Sequence, residues 1–483
     1  AAGARVDFVG GTFVQPSPDV PVVSGDGTSR LTGGTLQLLN FIPNLQLAGG
    51  TVVLLPEFQD DGAITNLVLE GATLEGTNVL TGELRWRDGT INGVLTIAAT
   101  GSLILEGTGG KTWNAAVTNL GTIQFGGTGD VSAWANNGAR VDNAGLFEFL
   151  TDRSFYAYNT VPFRNTGTVR KSGGTGNARL GVYGSWPVNL ENLGTLEAQT
   201  GVLQVFGGGT LAGQVVTAAG ARVDFVGGTF VQPSPDVPVV SGDGTSRLTG
   251  GALHLVNRIP NLQLTGGTVL PLPTFQDGGA ITNLTLQGAT LAGTNLVTGV
   301  LNCTAVSGPL TLASGAVVNW SGSTFAGPVL VQSNALLRLP TTSGRTLNGA
   351  LTNLGTVEMT DGGSLSVFAA NGGFVENWGL FDFQSAEDVY GYNSPVFRNF
   401  GLVRKSGGTS TARLGVAGSW GVAFENAGVV DARFGTLSFF GSYHLTNGLV
   451  QCAIRGLTDY GRVNFASSVP LAGTVGAYLV SAY

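Results

Sequence analysis

Along most of this chain apolar residues alternate with small or polar ones in runs of four to nine, as in "NLQLAGGTV", "TNLVLEGATL", "GTIQFGG" and "GLFEFL". Alternation with period two is the mark of a half-buried strand. No window of comparable length keeps a helical period. Each run is closed by Gly, Asn or Asp, so the pattern predicts short strands joined by tight bends, with Gly and Asn taking the positive-φ corners.

The runs recur. Residues 1–34, "AAGARVDFVGGTFVQPSPDVPVVSGDGTSRLTGG", reappear unchanged as residues 218–251. The offset of 217 holds through "GATLEGTN" (71–78) and "GATLAGTN" (288–295), and it has grown to 234 at the two copies of "TNLGT" (118–122 and 352–356). The gain falls where the second copy has both "GPLTLASGAVVNW" from Gly308 and "GPVLVQSNALLRL" from Gly327, against a lone "NGVLTIAATGSLIL" in the first. A stack of equivalent rungs accepts one more rung at little cost, which a globular core does not.

Shorter markers agree. Asn-x-Gly followed by an alternating run begins at Asn119, Asn143, Asn165 and Asn192, and again at Asn353, Asn377, Asn399 and Asn426, with steps of 24, 22 and 27 in both sets. The predicted fold is all-β: a parallel β-solenoid, a right-handed β-helix, forming a single elongated rod of about 18 to 22 rungs and on the order of 100 Å. Its divisions are a first repeat unit at 1–217, a second at 218–445 with an extra rung near 308–327, and a terminal, cap-like module at 446–483. Proline-rich "VQPSPDVPVVSGDG" (14–27 and 231–244) and aromatic-rich "DRSFYAYNTVPFRN" (152–165) and "EDVYGYNSPVFRN" (387–399) are expected to leave the ladder as loops.

The succession "FRNTGTVRKSGGTGNARL", "NLGTLEAQTGVLQVFGGGTLAG", "AAGARVDFVGGTF" resembles the Gly- and Asn-rich β-solenoid repeats of very large bacterial extracellular proteins, adhesin-like and autotransporter-passenger-like. The closing "GRVNFASSVPLAGTVGAYLVSAY" is similar to the module that follows such repeats. The resemblance covers nearly the whole chain and carries architecture far more specifically than function. It implies a secreted or surface-displayed structural or adhesive protein.

Composition narrows the partners. Among 483 residues, 78 are Gly, 11% are charged and the net charge is −7, with lysine only at Lys111, Lys171 and Lys405. No basic stripe is present to neutralise a nucleic-acid backbone, so no nucleic-acid partner is expected. No apolar run reaches the ~20 residues of a membrane-spanning helix, so no membrane insertion is expected either. The two cysteines, Cys303 and Cys452, read as unpaired.

Candidate chemistry is sparse. The turn "VRKSGGTGNARLGV" (169–182), with its twin "VRKSGGTSTARLGV" (403–416), has a lysine ahead of the glycines and a strand behind them, the reverse of a phosphate-binding loop. Its basic residues Arg170, Lys171 and Arg179, and Arg404, Lys405 and Arg413 in the twin, are expected to face solvent, where Arg170, Lys171, Arg404 and Lys405 are candidate contacts for an anion or acidic glycan. The carboxylate pairs Asp60–Asp61 and Glu387–Asp388 are candidates for acid–base chemistry, yet neither survives as a pair in both copies. His254 and His444 stand apart, one Asp in "SGDGTS" is too few for calcium, and the Thr spacing does not form an ice-matching array, so neither metal nor cofactor is expected.

Aromatic residues complete the set. Tyr156, Tyr158 and Trp186 match Tyr390, Tyr392 and Trp420 at the offset of 234 and could form a ridge for a glycan or protein. The sequence therefore predicts a non-catalytic extracellular or cell-surface solenoid, structural or adhesive, associating end to end into filaments or touching cell-surface glycans. A carbohydrate-active β-helix enzyme and a passive glycan-binding module are the alternatives.

Overall fold

The computed structural model describes residues 2–17, 19–184, 186–470 and 472–480; the side chains of Asp60 and Asp277 lie outside the described residues. Two compact units are present, one of Ala1–His254 with Ile259–Gln263 and one of Leu255–Arg258 with Leu264–Tyr483. Each is a parallel β-solenoid, and together they make about 21 turns. Among the described residues the helices are four single 3-10 turns, and none is long and apolar enough to cross a membrane.

In the first unit a turn between residues 111 and 211 contains three short strands. Strand Arg140–Asn143 lies on Ala116–Asn119 and under Val161–Asn165, each pairing parallel and in register. The inward column Val117, Val141, Phe163, Leu190 and the column Ile123, Phe147, Val169, Leu196 follow directly from that register. All eight are buried, and Phe147 sits within 5.1–5.8 Å of the rings of Phe125, Phe149, Phe155 and Phe163. Each such ring withdraws enough apolar surface from water to contribute roughly 2–3 kcal/mol, an upper figure against an extended chain. The parallel stack continues across the sequence boundary at 217/218, where Arg222–Val231 lies on Val202–Leu211 with a one-residue register slip after Val205.

The second unit repeats the scheme. Leu310–Leu312 lies on Asn295–Val297 and under Val329–Val331, and Val317–Trp320 lies under Leu336–Leu339. The inserted block is thus one additional turn whose inward residues Leu310, Leu312, Val318 and Trp320 join the existing columns.

The Asn-x-Gly corners work differently from expectation. The marker asparagines are strand residues without positive φ, and their side chains point inward. In the first unit the Nδ2 of Asn119, Asn143 and Asn165 donates to the Oδ1 of Asn143, Asn165 and Asn192 at 2.7, 2.8 and 2.8 Å. In the second, Asn353, Asn377, Asn399 and Asn426 form the same ladder at 2.7, 2.8 and 2.7 Å. All eight asparagines are at most 1% exposed, so these bonds run in a dry interior. The following glycine is needed for proximity: a Cβ on Gly167 would lie 2.2 Å from the Gly145 carbonyl oxygen of the rung below, and one on Gly401 would lie 2.3 Å from that of Gly379. Backbones stacked this closely leave no space for a side chain.

Candidate functional site

The basic turn divides its charges between the interior and the surface. In strand Thr168–Lys171 the alternation that buries Val169 also buries Lys171, which stacks between Phe149 and Ala198 with no exposure. Its Nζ donates to the Asp152 carboxylate at 2.7 Å and to the Gly173 carbonyl at 2.5 Å. Lys405 stacks likewise between Phe383 and Ala432 and donates to the carbonyls of Ser385 and Gly407, both at 2.6 Å. Burial holds the Lys405 ammonium below the usual lysine range. The expectation that these lysines face solvent is therefore corrected: a long apolar stem fills the core and the charged head ties down the glycine turn. Lys111, the remaining lysine, is buried in the same manner, with Nζ 3.0 Å from the Gly109 carbonyl.

The arginines of the turn do face outward, where polar side chains on neighbouring rungs hold them. Arg170 donates to Glu197 at 2.8 Å and Arg404 to Asp382 at 2.8 Å. Arg413 meets Asp388 at 3.2 Å, while Arg179 donates to Gln204 at 3.2 Å. Similar cross-rung pairs join Arg398 to Glu376 and Glu425, and Arg247 to Asp224. Such ladders position one rung on the next.

The acidic pair at 387–388 is divided by the same alternation. Glu387 points inward, fully buried, and accepts the Ser385 N–H at 2.8 Å; burial raises its carboxyl above the usual range. Asp388 points outward to Arg413 and accepts the Tyr390 hydroxyl at 3.4 Å, and burial raises it too. Glu387, just ahead of strand Asp388–Tyr392, and Asp388, its first residue, thus point to opposite sides of the chain. Asp61 is exposed, whereas the side chain of its neighbour Asp60 lies outside the described residues. Among the described residues no three His, Cys, Asp or Glu side chains form a metal-ligating group. Cys303 and Cys452 are free, and burial pushes the Cys303 thiol up to about 12.

The aromatic candidates do come together, once in each unit. Strand Ser154–Tyr158 turns Phe155 and Ala157 into the core and Tyr156 and Tyr158 outward. Tyr158 lies directly over Trp134 of the preceding rung, ring on ring at 3.8 Å and 15°. The chain leaves the sheet at Gly181, whose φ is 78° and whose Cβ would meet the Phe206 carbonyl oxygen at 2.5 Å, and returns at Trp186. There the Trp186 carbonyl accepts the N–H groups of Val182 at 3.0 Å and Ala157 at 3.3 Å, which sets its ring 6.0 Å from both tyrosines.

In the second unit Tyr392 stacks on Phe368 at 4.2 Å and 4°, and Tyr390 meets Trp420 edge-on at 5.9 Å. The Trp420 carbonyl accepts the N–H groups of Val416 and Gly391, both at 3.0 Å. Trp186 and Trp420 remain 40% and 41% exposed. Trp134 and Phe368, absent from the sequence-derived set, complete the clusters; the signal was their place one rung, 24 residues, ahead of Tyr158 and Tyr392.

Both clusters end in a strained turn. Asn159 and Thr160 have φ of 61° and 56°, and Asn393 and Ser394 have 61° and 53°. Asn tolerates this region, but a β-branched Thr there is held at a cost of roughly 1–3 kcal/mol.

No family model, curated protein or solved structure matches this chain.

Proposed function

We propose that the protein is a non-catalytic, extracellular β-solenoid with a structural or adhesive role, and that its two aromatic clusters are the surfaces that contact glycans. The observation that carries this reading is the recurrence of the whole cluster at an offset of 234: the stacked ring pair, the Trp carbonyl clamp and the left-handed turn are all kept. Between the same two regions the buried lysine's partners differ, Asp152 and a carbonyl for Lys171 but two carbonyls for Lys405, while the cluster keeps its geometry even though Phe368 stands for Trp134 and Ser394 for Thr160. Exposed rings offer flat apolar faces for the C–H faces of sugars, and two weak sites on one chain bind a polymer with avidity. Placement outside the cell rests on the likeness of the repeats to those of bacterial extracellular proteins.

Incubation with immobilised neutral and acidic polysaccharides tests the proposal. Retention without release of soluble fragments is expected. Steady release of oligosaccharides by the pure protein would instead favour a carbohydrate-active enzyme, with Asp388, Tyr390 and Arg413 beside Trp420 as the first residues to replace.

A further inference from the structure

Behind the hairpin that carries Trp186, on the side away from Tyr156 and Tyr158, lies a groove of about 410 Å3. Tyr183, Gly184 and Pro187 form one wall, and Phe206, Gly207, Gly227 and Gly228 form the base. We propose that this groove binds one end of a neutral glycan, with the ring of Tyr183 stacked on a sugar; the inference rests on the glycan-contact reading of the neighbouring cluster.

The base is built to stay bare. Between Val202–Leu211 and Arg222–Val231 the register slips: Val205 pairs with Phe225, but Phe206 pairs with Gly227, so Val226 is the extra residue of a bulge. Gly207 and Gly228 have φ of 114° and 82°, and a Cβ on them would lie 2.4 Å from the Val188 carbonyl oxygen and 2.1 Å from the Gly207 carbonyl carbon. Neither glycine can carry a side chain of its own, and glycine at a bulge commonly marks a place where a ligand approaches the backbone.

The wall supplies the complementary feature. Tyr183 is 83% exposed at the tip of the hairpin, beside the rigid ring of Pro187. Among the described residues that line the groove there is no carboxylate, lysine or arginine, so no side-chain charge there favours an ionic ligand. An exposed ring on one side and a base of glycines without side chains beneath suit the flat face of an uncharged sugar ring, and the volume is in the range of small-ligand sites. In the second unit the same hairpin has Ala417 in place of Tyr183, Gly421 in place of Pro187 and Ser442 in place of Gly208. The second cluster is therefore an internal control that keeps the aromatic residues and lacks the groove's wall.

The experiment is calorimetric titration of the whole chain with cellotetraose, maltotetraose, chitotetraose and tetragalacturonate. One neutral tetrasaccharide should bind at one site per chain, and Tyr183→Ala should weaken it about tenfold. Gly227→Ala should do the same: its φ is not left-handed and its Cβ would meet only Phe206 Cδ1, at 3.7 Å, so the fold is kept while the base of the groove is raised. Tyr390→Ala with Tyr392→Ala should leave this binding unchanged. The proposal is overturned if Tyr183→Ala and Gly227→Ala bind like the parent, or if tetragalacturonate alone binds. Sensitivity to Tyr156→Ala and Tyr158→Ala with both groove variants silent overturns the groove and leaves the proposed function standing; failure of every tetrasaccharide and every polysaccharide to bind overturns both.

Discussion

Asn165 lies in the interior of its ladder, and its replacement by Ala has a cost that can be worked from its partners. Its Oδ1 accepts from Asn143 at 2.8 Å, and its Nδ2 donates to Asn192 Oδ1 at 2.8 Å and to the Thr195 carbonyl at 3.1 Å. Three bonds disappear at a net ~1 kcal/mol each, and the Asn192 Oδ1 is left buried without its ladder donor at a further ~1–3 kcal/mol. Asn143 loses less, since its Nδ2 keeps the carbonyls of Gly145 and Thr168. The sum is about 4–6 kcal/mol. Asn119, at the start of the ladder, already has an Oδ1 with no partner, so Asn119→Ala loses two bonds and orphans the Asn143 Oδ1 but removes an equivalent orphaned oxygen of its own. Its cost should be about 2 kcal/mol, so interior and terminal replacements should differ by at least about 2 kcal/mol, or roughly 30-fold in a local opening constant. Because a stack of rungs can open locally, hydrogen exchange of the amides at 165–168 and 192–195 is the suitable assay, with urea unfolding beside it. Equal effects of the two variants, or an interior loss below about 1 kcal/mol, would refute the idea that the ladder fastens the rungs.

Lys405→Met should cost no more than about 1 kcal/mol, because the stem is kept and the buried charge is lost, whereas Lys405→Ala should cost about 2–5 kcal/mol in the same urea titration. The Glu387 carboxyl is raised, so the native state holds its proton at a pH where the unfolded chain has released it; this contribution to stability is full below the unfolded pKa and is lost as pH rises through the folded one. Melting should therefore shift upward when the pH is lowered from 7 toward about 5, and Glu387→Gln should flatten that slope. Gly167→Ala places a methyl 2.2 Å from the Gly145 oxygen and should lower stability by about 2–3 kcal/mol, read as a fall in the urea midpoint.

Repetition made the fold legible. Alternating runs at 119, 143, 165 and 192 named the rungs, and the identity of 1–34 with 218–251 named the duplication, because a solenoid writes each turn into the sequence separately. Roles within a rung were harder to read. Asn-Gly suggested a left-handed corner, yet the structure puts Asn inside the strand, where its amide repeats the rung spacing, and reserves Gly for backbone approach. "VRK" alternates strictly, so Lys171 shares a face with Val169; the rule that charges point outward masked a position where a carboxylate and a carbonyl receive the ammonium. The aromatic ridge was legible from Tyr156, Tyr158 and Trp186, but Trp134 joins only through register, which is a property of two rungs. The groove arises from a one-residue slip between Val205 and Phe206 that no local pattern announces.

The central claim is that the charges of this solenoid mainly bind rung to rung and that its outward chemistry lies in two aromatic clusters. The most direct test is binding of whole polysaccharides by the parent chain and by a variant with Tyr156, Tyr158, Tyr390 and Tyr392 all replaced by Ala. The account predicts that the variant melts like the parent and loses most of its polysaccharide binding, keeping only the single weak contact of the Tyr183 groove. Undiminished binding by a correctly folded variant would contradict it.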